Sequence, residues 1–157
     1  AVGRIRLDGL KDPTGMLLAG GRTAVLFDRD DGRLVLRGEH EVTVENACPA
    51  GMVQLAASAA GDLLAVQSWS DQRLSLWALP GLHRLRSVPT RLDPGKGYMR
   101  TVMAANGRRL AGVTGTGQLD VWDLPDLQRR YSRVALTPVE QCRTTLRAAV
   151  QMCESPV

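Results

Sequence analysis

The sequence is poor in the residues that build catalytic and metal sites. It has only two histidines, His40 and His83, and its three cysteines form no C-x-x-C pair. Neither an H-E-x-x-H nor a G-x-S-x-G motif occurs, so a zinc centre and a serine nucleophile have no local signature. From the residues alone we expect no catalytic residue, no metal and no cofactor, and we expect that the chain is not an enzyme by itself.

Other absences bear on location. No run of roughly 18 or more apolar residues occurs, and no charged and then apolar leader opens the chain, so neither a membrane span nor a signal peptide is predicted. The odd number of cysteines argues against a disulfide framework and favours a reducing compartment. The sequence therefore predicts a cytoplasmic, globular protein without membrane contact.

Positive charge is concentrated in arginine and in one part of the chain. The net charge is +4, and only two of the 20 basic residues are lysines. From Arg84 to Arg109 the chain has seven basic residues and one acid, Asp93, whereas residues 28–45 are mainly acidic. This asymmetry fits either docking between charged surfaces or a solvated rim, and nucleic-acid binding stays open as a weaker alternative.

One stretch occurs twice and resembles a third. Gly61 begins Gly-Asp-Leu-Leu-Ala and Gly107 begins Gly-Arg-Arg-Leu-Ala, and each leads through a turn to a run that ends in Trp-x-Leu-Pro. These glycines are 46 residues apart, and Gly15 stands 46 residues before Gly61 at the start of Gly-Met-Leu-Leu-Ala. A fixed period of this length indicates a repeat architecture. We take Gly15, Gly61 and Gly107 as equivalent positions.

Each repeat contains short apolar runs separated by turn residues, a pattern that predicts four antiparallel strands per unit. In the first unit we predict a turn over residues 12–15, strands over 16–19, 23–27 and 34–36, a hairpin turn at 20–21 and irregular chain over 42–51. A further strand is predicted over residues 2–7. The repeat domain spans residues 1–136, with units at approximately 5–45, 52–88 and 98–136.

The tail, residues 137–157, has a different pattern. Thr137, Pro138 and Glu140 form a capping box with proline at the first helical position. Apolar residues then recur at steps of three and four, which predicts an amphipathic helix that docks on the repeats or on a partner. These residues are Val139, Cys142, Leu146, Ala149, Val150 and Cys153.

The repeats resemble the blades of WD-repeat β-propellers over roughly residues 5–136. Trp122-Asp123 is the family's Trp-Asp dipeptide, with Trp77-Ala78 and Phe27-Asp28 as degenerate versions. The turns over residues 12–15, 58–61 and 104–107 resemble the family's Ser-Pro-Asp-Gly turn. No Gly-His dipeptide precedes the units. The resemblance implies an all-β fold of about three four-stranded blades in an incomplete ring, followed by the short C-terminal helix.

The resemblance also implies a non-catalytic protein-interaction scaffold. Propeller blades of this family bind partners on the face that carries the loops between second and third strands and between blades. In this chain the candidate partner contacts on that face are Trp69, Asp71, Arg91, Lys96 and Tyr98. Trp69 has a second interpretation, as a spacer between blades. It stands in a polar turn, where the sequence does not distinguish an interface anchor from a residue that packs between blades.

Three blades leave two blade faces without a neighbour, because propellers close with about four to eight blades. We therefore expect completion by further blades from the same or another chain, with a homodimer of six blades as one version. The alternative is a sensory or regulatory propeller domain of a larger signalling protein or enzyme whose catalytic part lies elsewhere. An enzyme built on Cys142 or Asp120 is the least favoured interpretation.

Overall fold

The computed structural model describes residues 7–18, 20–92 and 97–134. In them twelve strands form three four-stranded antiparallel sheets, each an uninterrupted meander, and this confirms the predicted propeller blades. The predicted strand over residues 2–7, apart from Leu7, and the predicted helical tail lie outside the described residues. Blade 1 has β1 Pro13–Leu17, β2 Ala24–Asp28, β3 Arg33–Arg37 and β4 Val42–Val44; blade 2 has β5 Val53–Ala57, β6 Leu63–Ser68, β7 Arg73–Ala78 and β8 His83–Pro89; blade 3 has β9 Tyr98–Met103, β10 Arg109–Thr114, β11 Gln118–Asp123 and β12 Gln128–Val134.

The first strands lie where the blades converge. β5 and β9 contact each other, whereas β8 at the other edge of its sheet is mostly exposed. In an antiparallel meander the connection between the second and third strands and the connection to the next blade leave from the same end. We call that end of the molecule the loop face, and it carries the candidate partner contacts.

Side chains on the middle strands alternate between a forward face, toward the next blade, and a rear face, toward the preceding blade. The forward face of blade 1 packs on the rear face of blade 2, and the forward face of blade 2 packs on blade 3. The first junction contains Val25, Phe27, Leu34 and Leu36 from blade 1 and Leu64, Val66 and Trp77 from blade 2. The second contains Ala65, Leu74 and Leu76 from blade 2 and Leu110 and Trp122 from blade 3.

The equivalence assigned to Gly15 is wrong, and Gly21 is the true counterpart of Gly61 and Gly107. These three have φ angles of +66°, +73° and +66°, and each donates its N–H to the carbonyl three residues earlier, at 3.0, 3.0 and 2.9 Å. Gly15 instead lies inside β1, opposite Leu26. The spacing is therefore 40 and then 46 residues. The segment Gly15-Met-Leu-Leu-Ala resembles Gly61-Asp-Leu-Leu-Ala in sequence but not in structural position. The resemblance arises because each segment combines a glycine with apolar strand residues.

Two further predictions in blade 1 were wrong for the same reason. Residues 13–15, assigned to a turn, belong to β1, and residues 42–44, called irregular, form β4. Phe27-Asp28 ends a second strand, whereas Trp77 and Trp122 lie near the end of third strands. Register shows the blade 1 counterpart: Arg37 pairs with Ala24 as Trp77 pairs with Leu64 and Trp122 with Leu110.

Candidate protein-interaction face

Main-chain hydrogen bonds tie the connections between blades to the hairpins on the loop face. Ala47 N–H donates to the Gly32 carbonyl at 2.9 Å, and Gly51 N–H donates to the Arg29 carbonyl at 2.8 Å. In the next blade, the Thr90 N–H donates to the Gln72 carbonyl at 2.8 Å. The hairpins of blades 1 and 2 are thus fixed to the chain that leads onward, so this part of the loop face is held by main-chain hydrogen bonds.

Trp69 lies half-buried in the β6–β7 hairpin. Its N–H donates to the Met52 carbonyl at 3.0 Å, and its carbonyl accepts from Gln72 Nε2 at 2.9 Å. The indole packs directly on Gly97, just before β9: a Cβ added there would lie 2.2 Å from Trp69 Nε1. The ring therefore spaces blade 2 from blade 3. Trp69 as a whole stays partly accessible to solvent.

Asp71 is exposed at the tip of the same hairpin. Its charge, together with burial, raises the pKa of the half-buried Cys48 thiol to about 12, the larger cause being burial. Cys48 belongs to the connection between blades 1 and 2, so Asp71 lies beside that connection. Ser70, its neighbour, donates its hydroxyl to the Ala50 carbonyl at 2.7 Å. The hairpin of blade 2 therefore contacts both flanking connections.

Arg91 is exposed in the connection that follows β8, and its φ is +56°. The residue before it, Thr90, is fully buried, and its hydroxyl donates to the Gln72 carbonyl at 3.0 Å. Arg129 on β12 donates to the Thr90 carbonyl. Arg91 thus projects from a firmly held backbone. Lys96, the other basic candidate, lies outside the described residues.

Tyr98 is in the core. It is 0% exposed, packs edge-on against Trp122 with ring centroids 5.3 Å apart, and donates its hydroxyl to Asp120. Burial first, and then that carboxylate, raise the pKa of Tyr98. Its side chain in this structure builds the junction between blades 2 and 3 and offers no surface to a partner. Trp69, Asp71 and Arg91 are brought together on the loop face, and Tyr98 lies beneath it.

Asp120, a residue of the least favoured enzyme interpretation, is the centre of a buried polar group. Its carboxylate accepts from Tyr98 and from Gln118 Nε2 at 3.0 Å, and Arg129 lies 3.9 Å away. Gln67 on blade 2 accepts from the Tyr98 N–H at 3.2 Å. A buried carboxylate needs such partners because its desolvation is costly. The only sequence signal is an acid between two apolar residues of a strand, Leu119 and Val121.

Asp28 forms a second buried cluster at the loop face of blade 1. Its carboxylate accepts main-chain N–H groups of Lys11, Asp12 and Asp30 at 2.8 to 3.2 Å, and Arg33 lies 3.4 Å away. Burial alone would raise the pKa of Asp28, but these donors outweigh it and hold the pKa at about 2. The cluster fixes the entering chain to the β2–β3 hairpin.

The rear face of blade 1 differs from those of blades 2 and 3. Leu10 packs on its apolar residues, and Arg37 donates to the Asp8 carbonyl at 2.7 Å. Next to this covered part an apolar groove of about 270 Å³ stays open between β1, β2 and Leu7. Leu7 and Leu17 at its rim are 50% and 58% exposed. An exposed apolar groove of this kind is a candidate interaction site.

Part of the basic stretch is engaged within the fold. Arg84 lies over the Trp77 ring at 5.6 Å, Arg86 lies 3.4 Å from Asp126, and Arg109 lies 3.4 Å from Asp123. Arg84, Arg86, Arg91, Arg100 and Arg108 are all exposed. The positive charge therefore stays on the surface, and the ion pairs with Asp126 and Asp123 offset part of it.

Among the residues that the structure describes, no group of three or more His, Cys, Asp or Glu side chains could hold a metal ion. The same part of the chain contains no helix long and apolar enough to cross a membrane.

Comparison of the sequence with family models and with curated proteins gives no match. Solved structures do match. The chain is similar to the WD40 repeats of RRP9 at a TM-score of 0.66 and 13% identity, over 83% of this chain and 40% of that one. It is similar to U3-55K at 0.64 and 13%, over 83% and 41%. It is also similar to hydrazine synthase of Kuenenia stuttgartiensis at 0.63 and 12%, over 87% and 40%.

These likenesses show the fold: three blades of a WD-repeat-like β-propeller. The chain spans about 40% of the length of the structures it matches.

Proposed function

We propose that the chain is a non-catalytic docking module, which binds a protein partner on the loop face of its blades. The observation that carries this proposal is the surface around Trp69. Half-buried Trp69 and exposed Asp71 share one hairpin, and exposed Arg91 follows Thr90, which is hydrogen-bonded to Gln72 of that hairpin. Tryptophan and arginine on an ordered surface are residue types that are enriched in interface hot spots. Lys96, which follows in the same connection, is included in the proposed contact set.

We further propose that additional blades, from the same or another chain, pack on the rear face of blade 1. The apolar groove beside Leu17 supports this, because the equivalent face of blade 2 is where blade 1 packs. A second copy of this chain is one source of such blades. The location we propose is the cytoplasm, and the odd cysteine count supports a reducing compartment.

The alternative, a regulatory propeller domain of a larger enzyme, is favoured by one finding. Among the similar structures is hydrazine synthase, whose name is that of an enzyme, and this chain covers 40% of it. The two proposals differ in whether the catalytic part belongs to the same polypeptide. The length of the native open reading frame decides between them.

The docking proposal is tested by partner capture with charge-matched variants. Trp69→Ala and Arg91→Glu, separately and with Lys96→Glu, are expected to weaken capture of the native partner at least about tenfold. Arg22→Glu makes the same charge change at the opposite end of blade 1, where it is exposed in the turn after Gly21, and is expected to leave capture intact. If all variants, including Arg22→Glu, capture the partner equally well, the loop-face assignment is refuted. It is also refuted if Arg22→Glu loses as much capture as the loop-face variants.

A further inference from the structure

Among the residues that the structure describes, no fourth blade packs on the forward face of blade 3, yet its side chains are buried. Ala111, Val113, Leu119 and Val121 alternate with the residues that pack on blade 2 and are between 0 and 4% exposed. They are the counterparts of Val25, Phe27, Leu34 and Leu36, which form the junction of blades 1 and 2. Apolar side chains that are buried on one face of a sheet require another layer of protein packed over them.

The described part of the chain supplies little of that layer. Beyond the cluster itself, which also includes Ala104, the described hydrophobic residue that packs on it is Tyr131 of β12. Tyr131 is itself only half-buried and comes from the outermost strand of the same sheet. One ring from the sheet edge cannot cover side chains on both middle strands, so the layer must come from elsewhere.

We propose that residues 137–153 form a helix that packs on the forward face of blade 3. This segment follows β12 after two residues, so no long connection is needed to reach the face. Its apolar residues recur at three- and four-residue steps, and residues 135–157 contain no glycine and no aromatic residue, unlike any blade of this chain. The pattern is that of one amphipathic helix and not of another four-stranded meander.

The dimensions also agree. Seventeen helical residues span about 25 Å, and the six-residue strands β10 and β11 span about 20 Å. Two of the covered residues, Ala104 and Ala111, are small and let a helix backbone approach the sheet closely. On the helix, Leu146 and Val150 lie on the apolar face, whereas Thr144 and Gln151 lie on the opposite face.

The experiment measures how fast a reporter thiol on each blade reacts with a maleimide. In a background with Cys48, Cys142 and Cys153 changed to alanine, Ala111→Cys places the thiol on the forward face of blade 3. Ala65→Cys places the same group at the equivalent position of blade 2, which blade 3 covers. Each reporter is combined with Leu146→Glu and Val150→Glu, or with the matched pair Thr144→Glu and Gln151→Glu.

With the apolar-face pair, the reporter of Ala111→Cys is expected to react at least about tenfold faster, while the Ala65→Cys reporter stays within about twofold. The matched pair is expected to change neither rate. An unchanged rate at the Ala111→Cys reporter would overturn the proposal. So would an equal rise at both reporters, which would mean general unfolding. A rate that falls with rising protein concentration, together with a dimer mass in light scattering, would show that a second copy covers the face instead.

Discussion

The hydroxyl of Tyr98 donates a hydrogen bond to Asp120 in the junction between blades 2 and 3. Both residues are 0% exposed, and they come from the first and third strands of one sheet. The pair joins a residue at the start of the blade to a carboxylate in its middle, and Arg129 and Gln118 complete the group. Its stability contribution can be measured directly.

Tyr98→Phe removes this donor and leaves the Asp120 carboxylate with fewer partners. Since an unsatisfied buried acceptor costs free energy, the free energy of unfolding is expected to fall by about 1–3 kcal/mol. Chemical denaturation followed by tryptophan fluorescence measures it. Tyr131→Phe is the matched control, because that residue is half-buried on the outer strand, and its loss is expected to be smaller. Equal losses in the two variants would contradict the role assigned to the buried pair.

The lowered pKa of Asp28 predicts that blade 1 loses stability in acid. Its pKa is about 2 in the folded chain against 3.8 in the reference state, so its contribution is present above about pH 4 and is lost as the pH falls toward 2. The difference corresponds to about 2 kcal/mol. Asp28→Asn is expected to be less stable than the wild type at pH 7 and to approach it at pH 2. Urea titrations across that range check this. Asp30→Asn, an exposed neighbour, is expected to follow the wild-type curve.

Gly97→Ala tests the contact that spaces blades 2 and 3. The added Cβ would lie 2.2 Å from Trp69 Nε1, so the indole must move, at an expected cost of about 1–3 kcal/mol and with a change in tryptophan emission. The Trp69→Ala background removes the clash, and the double variant is expected to be more stable than additivity predicts. Gly115→Ala, where the nearest atom is Met99 Cγ at 3.4 Å, is the control and is expected to cost little. Strict additivity in the first pair would disprove the contact.

The corrected repeat phase has its own test. Gly21 and Gly61 have positive φ angles and open space where a Cβ would be, so Gly21→Ala and Gly61→Ala are each expected to cost about 1 kcal/mol from backbone conformation alone. Asparagine at either position is expected to recover part of the loss. Gly15→Ala is expected to cost more, since its Cβ would lie 2.4 Å from the Val25 carbonyl oxygen. Thermal melts of the five variants compare these costs, and a Gly15→Ala loss equal to the others would contradict the assignment.

The sequence was sufficient to predict that the chain forms blades, but it was not sufficient to align blade 1 with the other two. Trp77 and Trp122 each stand shortly before a Leu-Pro dipeptide, and the prediction of four antiparallel strands per unit is confirmed in blades 2 and 3. Blade 1 was misaligned because Arg37 occupies the tryptophan position, and no local rule equates an arginine with a tryptophan. Only strand register, which depends on pairing across the sheet, shows that equivalence.

The candidate site was predictable to the extent that it lies in turns. Trp69, Asp71 and Arg91 are in hairpins and connections that a meander must place at one end. Tyr98 was assigned to the same surface, but it is buried, and its hydroxyl donates to Asp120, which is 22 residues away along the chain. Long-range pairs of this kind have no signature in a single sequence.

The different rear face of blade 1 has a consequence for how such an array can grow. Blade 2 has an apolar forward face and a rear face that contains Trp77, and it packs against a neighbouring blade on both sides. A tandem gene duplication of the segment that encodes blade 2 would therefore insert a unit whose two surfaces match those already there. A duplicated blade 1 would bring the Arg37 guanidinium into an apolar junction without a tryptophan to fill it. Duplication of blade 1 is therefore expected to cost more than duplication of blade 2, and a blade that packs on the rear face of blade 1 must leave Arg37 its polar partners, the Asp8 carbonyl and Glu41.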